Sequence, residues 1–140
     1  MKFIYKGIGL ISILFIVASC SFSKKQIVSK AEANDSCKIE VVVLDPGHFH
    51  ASLLQKETLT DVSDTIRIYA PEGIAVNQYL ESIDSYNQRA ESPTTWKKQV
   101  YTGDDYLQKM LADHKGNIAV LAGNNQKKTR YIMESIKAGY

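Results

Sequence analysis

Cysteine is nearly absent from this chain. Its 140 residues hold two, Cys20 and Cys37, too few for a disulfide framework. Proline is scarce as well: Pro46, Pro71 and Pro93 are the three, and each falls at a break between apolar runs. Charge of one sign is lacking. Seventeen Lys and Arg stand against fifteen Asp and Glu, and Lys2 and Lys6 alone supply the net +2. No clustered basic face exists, which removes the electrostatic case for nucleic acid as a partner. Internal repeats and low-complexity tracts are missing too. No apolar run approaches the roughly 20 residues of a membrane-spanning helix, the longest being Gly7 to Val17. What is present, 44% hydrophobic and 23% charged residues, is the composition of one globular domain.

The first residues read as a targeting segment. Lys2 and Lys6 form a basic start, and the apolar run from Gly7 follows. The run closes on Val17-Ala-Ser-Cys20, which resembles the lipobox of bacterial lipoproteins. That resemblance implies cleavage before Cys20, lipidation of its thiol and new amino group, and a protein lipid-anchored in the bacterial cell envelope, facing the periplasm or exterior. An ordinary signal peptide or a signal anchor is the alternative. Residues 1–19 are then the signal peptide and 20–37 a polar tether. Cys37 is a passive residue ahead of the folded part, 38–140.

Within 38–140, Ile39 to Leu44 is an apolar, β-branched run of the kind buried on both faces of a parallel sheet. Asp45-Pro46-Gly47 breaks it, and Phe49, Leu53 and Leu54 then recur at helical spacing, predicting a helix over about His48 to Glu57. Thr65 to Ala70 alternates as a second strand, stopped by Pro71-Glu72-Gly73. A helix is expected over about Ala75 to Arg89 and a short strand over Gln99 to Tyr101. Asp104 is expected to cap a helix carrying Tyr106, Leu107, Met110 and Leu111. Asn117 to Ala122 reads as a third buried strand. A last helix, about Gln126 to Lys137, is expected to turn Tyr131, Ile132, Met133 and Ile136 inward, with Ala138-Gly139 as its stop. Strand and helix alternating four times predicts an α/β fold with parallel strands.

A strand, a glycine turn and a helix can seat a phosphate, because glycine admits close backbone approach and a helix start offers free N–H groups. The turn here is Asp45-x-Gly47-x-x-His50, which keeps only the middle glycine of the G-x-G-x-x-G dinucleotide fingerprint. Glu72, just past the second strand, stands where an acidic residue could bind a ribose 2′-OH and favour NAD over NADP, or it is a solvated loop carboxylate. Asn124-Asn125 can be a simple helix cap. His48 and His50 raise a metal alternative. Val43-Leu-Asp-Pro-Gly-His48 resembles the zinc-binding start of the N-acetylmuramoyl-L-alanine amidases, with Glu57 and His114 as further candidates. Both candidates fall on predicted helices, whereas zinc needs three convergent ligands, so no metal site is assigned.

Five segments together carry a broader resemblance: Asp45-Pro-Gly-His-Phe-His-Ala51, Tyr69-Ala-Pro-Glu-Gly73, Pro93-Thr-Thr-Trp96, Gly103-Asp-Asp-Tyr-Leu107 and Leu121-Ala-Gly-Asn-Asn125 with its following helix. In order and spacing, residues 38–140 resemble the N-terminal nucleotide-binding domain of the Gfo/Idh/MocA sugar oxidoreductases, in an exported branch. The resemblance implies a Rossmann-like parallel sheet, incomplete on its C-terminal side, that binds NAD or NADP and exchanges a hydride with a sugar or sugar-like alcohol. By position it places Gly47, His48, Phe49 and His50 at the pyrophosphate, Glu72 at the adenosine ribose, and Asn124 and Asn125 near the nicotinamide ribose. The family's catalytic lysine lies in a Glu/Asp-Lys-Pro motif beyond residue 140, and its substrate domain follows. No catalytic residue is therefore assigned, this length of chain is expected to lack turnover, and oligomerisation is left open.

Overall fold

The computed structural model of the chain describes residues 38–140. The signal peptide, the lipidation at Cys20 and the tether lie outside the described residues. Among the described residues, four parallel strands form one sheet: β1 (Val41–Leu44), β2 (Thr65–Ala70), β3 (Lys97–Thr102) and β4 (Ile118–Leu121), in the order β3-β2-β1-β4. A 3-10 helix (Phe49–Lys56) follows β1, and α1 (Ile74–Gln88), α2 (Tyr106–Asp113) and α3 (Asn125–Lys137) follow the other strands in turn. Val43 pairs with Ile68 of β2 on one side and Val120 of β4 on the other. The expected α/β architecture is what the chain adopts.

β1 is central because its four residues can be buried on both sides; each is at most 1% exposed. The period of two in a strand then divides them. Val41 and Val43 face Ile66 and Ile68 of β2 and Tyr79 and Ile83 of α1. Val42 and Leu44 face Tyr69, Leu107 and Met110, with Tyr131 of α3. The 3-10 helix and α1 therefore cover one face, and α2 and α3 the other. Each such side chain is worth roughly 1.5–3 kcal/mol on burial, so this one strand secures both layers.

Four expectations are corrected. The first helix is a 3-10 helix. His48 keeps an extended backbone, and its carbonyl accepts the Ala51 N–H at 2.9 Å, an i to i+3 bond that tightens the turn. At about three residues per turn, Ser52 and Gln55 point inward, while Phe49 and Leu53 are left 69% and 47% exposed. β4 is an edge strand with Ile118 exposed, so the strand expected to be fully buried is half-covered. In α3 only Tyr131 and Ser135 are buried. Ile132, Met133 and Ile136 point outward, because an edge strand offers the helix little sheet to cover. Finally, Asp105, not Asp104, precedes α2, and it makes no side-chain cap bond; its Oδ1 accepts from Tyr101 Oη at 2.6 Å instead.

One side-chain amide makes three of the bonds that hold the connection from α1 to β3. Asn87 Nδ2 donates to the Trp96 carbonyl (2.9 Å), and Asn87 Oδ1 accepts from Trp96 N (3.0 Å) and Thr94 Oγ1 (2.7 Å). Asn87→Ala removes all three bonds and leaves the Trp96 N–H without its acceptor, a loss of about 1–2 kcal/mol. A urea midpoint unmoved by that change would show that the loop holds itself.

Candidate functional site

The C-terminal ends of β1 and β4 are the place to look, because the chain order reverses between these neighbours and the turns diverge above them. The turn after β1 is closely self-bonded. Asp45 has φ of 50°, the left-handed region usual for glycine, and its N–H donates to the Tyr69 carbonyl at 2.9 Å. The Gly47 N–H donates to the Asp45 carbonyl at 2.8 Å, and the His50 N–H to His48 Nδ1 at 3.3 Å. With Ala51 already bonded to His48, three amides at the expected phosphate cradle have partners inside the turn. The His48 and Phe49 amides stay open, so the turn keeps a reduced cradle rather than a full helix start.

The turn's side chains point outward instead. His48, Phe49 and His50 are exposed, with ring centroids 4.0 to 4.6 Å apart in every pairing. They stand between two hollows. One, of about 90 Å3, lies toward α1 and is lined by Gly47, His48, Phe49, Ser52, Gln78 and Tyr79 among others. The other, of about 420 Å3, is the crevice between β1 and β4, lined by His48, His50, Leu121, Ala122, Gly123, Asn125 and Lys128. Asn124 faces the start of α3 and caps it, its Oδ1 accepting the Gln126 N–H at 2.9 Å. Glu72 is exposed directly after β2 and lines neither hollow. The structure therefore gathers His48, His50 and Asn125 at one crevice, leaves Gly47 and Phe49 on its α1 side, and sets Glu72 apart.

Beneath the turn lies a buried polar chain that the sequence pattern did not single out. Tyr131 Oη donates to Asp45 Oδ2 at 2.6 Å and also contacts Tyr106 Oη. Lys127 Nζ donates to Tyr106 Oη at 3.2 Å and lies 3.9 Å from Asp45 Oδ2. Burial, then the hydrogen bond to the Asp45 carboxylate, pushes the Tyr131 phenol far above its ordinary value. The bond to Tyr106 raises the Lys127 ammonium. Tyr131 stays a neutral donor and Lys127 a cation, so α3 is tied to the turn after β1 by a charge-assisted bond.

Gly123 is the other feature missed. A Cβ built there would lie 2.0 Å from the Asp45 carbonyl oxygen, whereas one on Gly47 would meet nothing nearer than 3.5 Å. The two turns touch backbone to backbone, and Gly123 is what permits it. A glycine immediately after a strand was the available signal, but its partner lies far away in sequence. The zinc alternative finds no geometry: among the described residues no three His, Cys, Asp or Glu side chains converge. Glu57 ends the 3-10 helix, and His114 ends α2 with its ring edge-to-face with Tyr140 at 5.4 Å. The adjoining Asn117 bonds Glu40, at the opposite end of β1 from His48.

No family model matches the chain, and no curated protein matches it. Among solved structures it is similar to "a putative oxidoreductase from Parabacteroides merdae ATCC 43184", with 52% identity and a TM-score of 0.72. The match covers 73% of this chain and 23% of that one, so the chain spans under a quarter of the length of this relative.

Proposed function

We propose that residues 38–140 are the cofactor-binding part of an NAD(P)-dependent oxidoreductase of the Gfo/Idh/MocA type, lipid-anchored through Cys20 in the bacterial envelope and acting, as a whole protein, on a sugar or sugar-like alcohol. The observation that carries this reading is the crevice between the C-terminal ends of β1 and β4, the position where open parallel sheets take nucleotides. The resemblance in the turns, and a relative named as an oxidoreductase, point the same way. The residues fit such a ligand. Gly47 is exposed and has no side chain to hold a pyrophosphate off, and the crevice of about 420 Å3 offers imidazoles, an amide and an ammonium.

When bound, the nicotinamide supplies the hydride acceptor or donor. The chain's own part is to hold and orient it. His48 and His50 would flank the pyrophosphate from the crevice, with Phe49 on its α1 side. Asn124, through its backbone, and Asn125 border the nicotinamide ribose. Glu72 accepts from the adenosine ribose and repels a 2′-phosphate, which favours NAD. Free nicotinamide cofactor is scarce outside the cytoplasm, so tight retention suits the proposed location.

Calorimetric titration of the 140-residue chain with NADH and NADPH tests this. NADH is expected to bind the more tightly, and Glu72→Ala to narrow the preference by about tenfold, the worth of one charged hydrogen bond. Failure of both dinucleotides to bind would remove the reading.

A further inference from the structure

The charge of a bound pyrophosphate has to be met somewhere, and the turn after β1 leaves only the His48 and Phe49 amides open for it. In the usual arrangement the amides of a glycine turn and helix start point at the phosphates. Here the Gly47, His50 and Ala51 amides are engaged within the turn, and the helix that follows is 3-10. The opposite wall of the crevice is differently made. Lys128, in the first turn of α3, lines it beside His48, His50 and Asn125, and no acidic residue does. Lys128 is half-buried, and among the described residues its ammonium enters no ion pair. Its neighbour Lys127 is occupied on the other face, at Tyr106 and Asp45.

We propose that Lys128 is the principal counter-charge for the ligand's phosphates, so that this crevice recognises its anion from the β4–α3 side rather than from the turn after β1. Its stem packs along the crevice wall while its ammonium has no carboxylate partner among the described residues, so an oxyanion between it and the two imidazoles would gain a charge-assisted bond without displacing another. The inference deepens the dinucleotide reading and rests on it, but it also makes a claim about inorganic pyrophosphate, which carries the same anion without nucleosides.

The full chain and its Lys128→Gln and Lys128→Arg variants are titrated with NADH and, separately, with inorganic pyrophosphate, at two salt concentrations. Lys128→Gln is expected to weaken both ligands about tenfold, as the loss of one charge-assisted hydrogen bond does, and to flatten the salt dependence. Lys128→Arg is expected to restore most of the affinity, and circular dichroism to show all three proteins folded alike. If NADH binds and Lys128→Gln leaves its affinity and salt dependence unchanged, the role of Lys128 is overturned and the dinucleotide reading survives. If pyrophosphate binds in a Lys128-dependent way but NADH does not bind, Lys128 is upheld as an anion site and the dinucleotide reading falls. Binding of neither ligand to the unmodified chain overturns both.

Discussion

Gly123→Ala is expected to destabilise the chain by about 3 kcal/mol or more, the upper range for forcing a methyl group into a packed interior. The reason is contact rather than backbone conformation. Gly123 is not among the positive-φ glycines, so alanine can adopt its conformation, but the new Cβ would sit 2.0 Å from the Asp45 carbonyl oxygen. That oxygen belongs to a turn pinned by β1 and by Tyr131, and β4 is pinned to β1 over four residues. Relief requires the two strand exits to separate. Gly47→Ala is the matched control. Its methyl would meet Gly123 at ordinary van der Waals distance, 3.5 Å, and a change below about 1 kcal/mol is expected. Urea denaturation of the two variants side by side decides the matter; equal midpoints would mean that the turns are not in fixed contact.

Tyr131→Phe is expected to cost about 2–3 kcal/mol, because it strips a charge-assisted donor from a buried carboxylate while leaving the ring's packing in place. Asp45 is then left with Lys127 at 3.9 Å as its remaining counter-charge. The variant should also change the alkaline limb of stability. Tyr131 is held protonated in the folded chain above the ordinary tyrosine value of 10.0. Its contribution is complete below that value and is lost as pH rises through the folded one, because the unfolded chain releases the proton first. Tyr69 and Tyr79, also raised chiefly by burial, keep their share in the variant. Denaturation midpoints measured near neutrality and above pH 10 should therefore converge between Tyr131→Phe and the parent. Parallel curves would show that Tyr131 ionises no later than a free tyrosine.

The strands could be read from the sequence because their signal is local. A β-branched run such as Val41 to Leu44 has few options besides a doubly buried strand, and Thr65 to Ala70 carries its alternation on its face. Asn124 as a helix cap was legible for the same reason, since a cap bonds two residues on. What could not be read depends on partners remote in sequence. Ile132, Met133 and Ile136 have the spacing of an inner helix face, yet which side of α3 turns inward is set by β4 being at the sheet's edge. Phe49 and Leu53 suggested an α-helix, and one carbonyl bond from Ala51 to His48 shifted the period to three. Asp45 reads as a turn former; that its carboxylate anchors Tyr131, 86 residues away, has no trace in either neighbourhood. The candidate site followed the same division, with His48, His50 and Asn125 found by their turns and Lys128 by the fold alone.

The pairing of β1 with β4 also sets when the crevice comes into being. β2 and β3 lie close in sequence and pair over six residues, so their union through α1 closes a modest loop. Glu40 and Asn117, which begin the β1–β4 pairing, are 77 residues apart, and loop-closure entropy rises with that separation. The crevice between β1 and β4 thus depends on the longest closure among the strand pairings, the docking of β4 and α3 against β1. The same boundary, held by a half-covered strand, is the natural first seam to part in the native state. A ligand bridging both walls would close that seam, and the slowing of amide exchange along Ile118 to Leu121 would report its arrival.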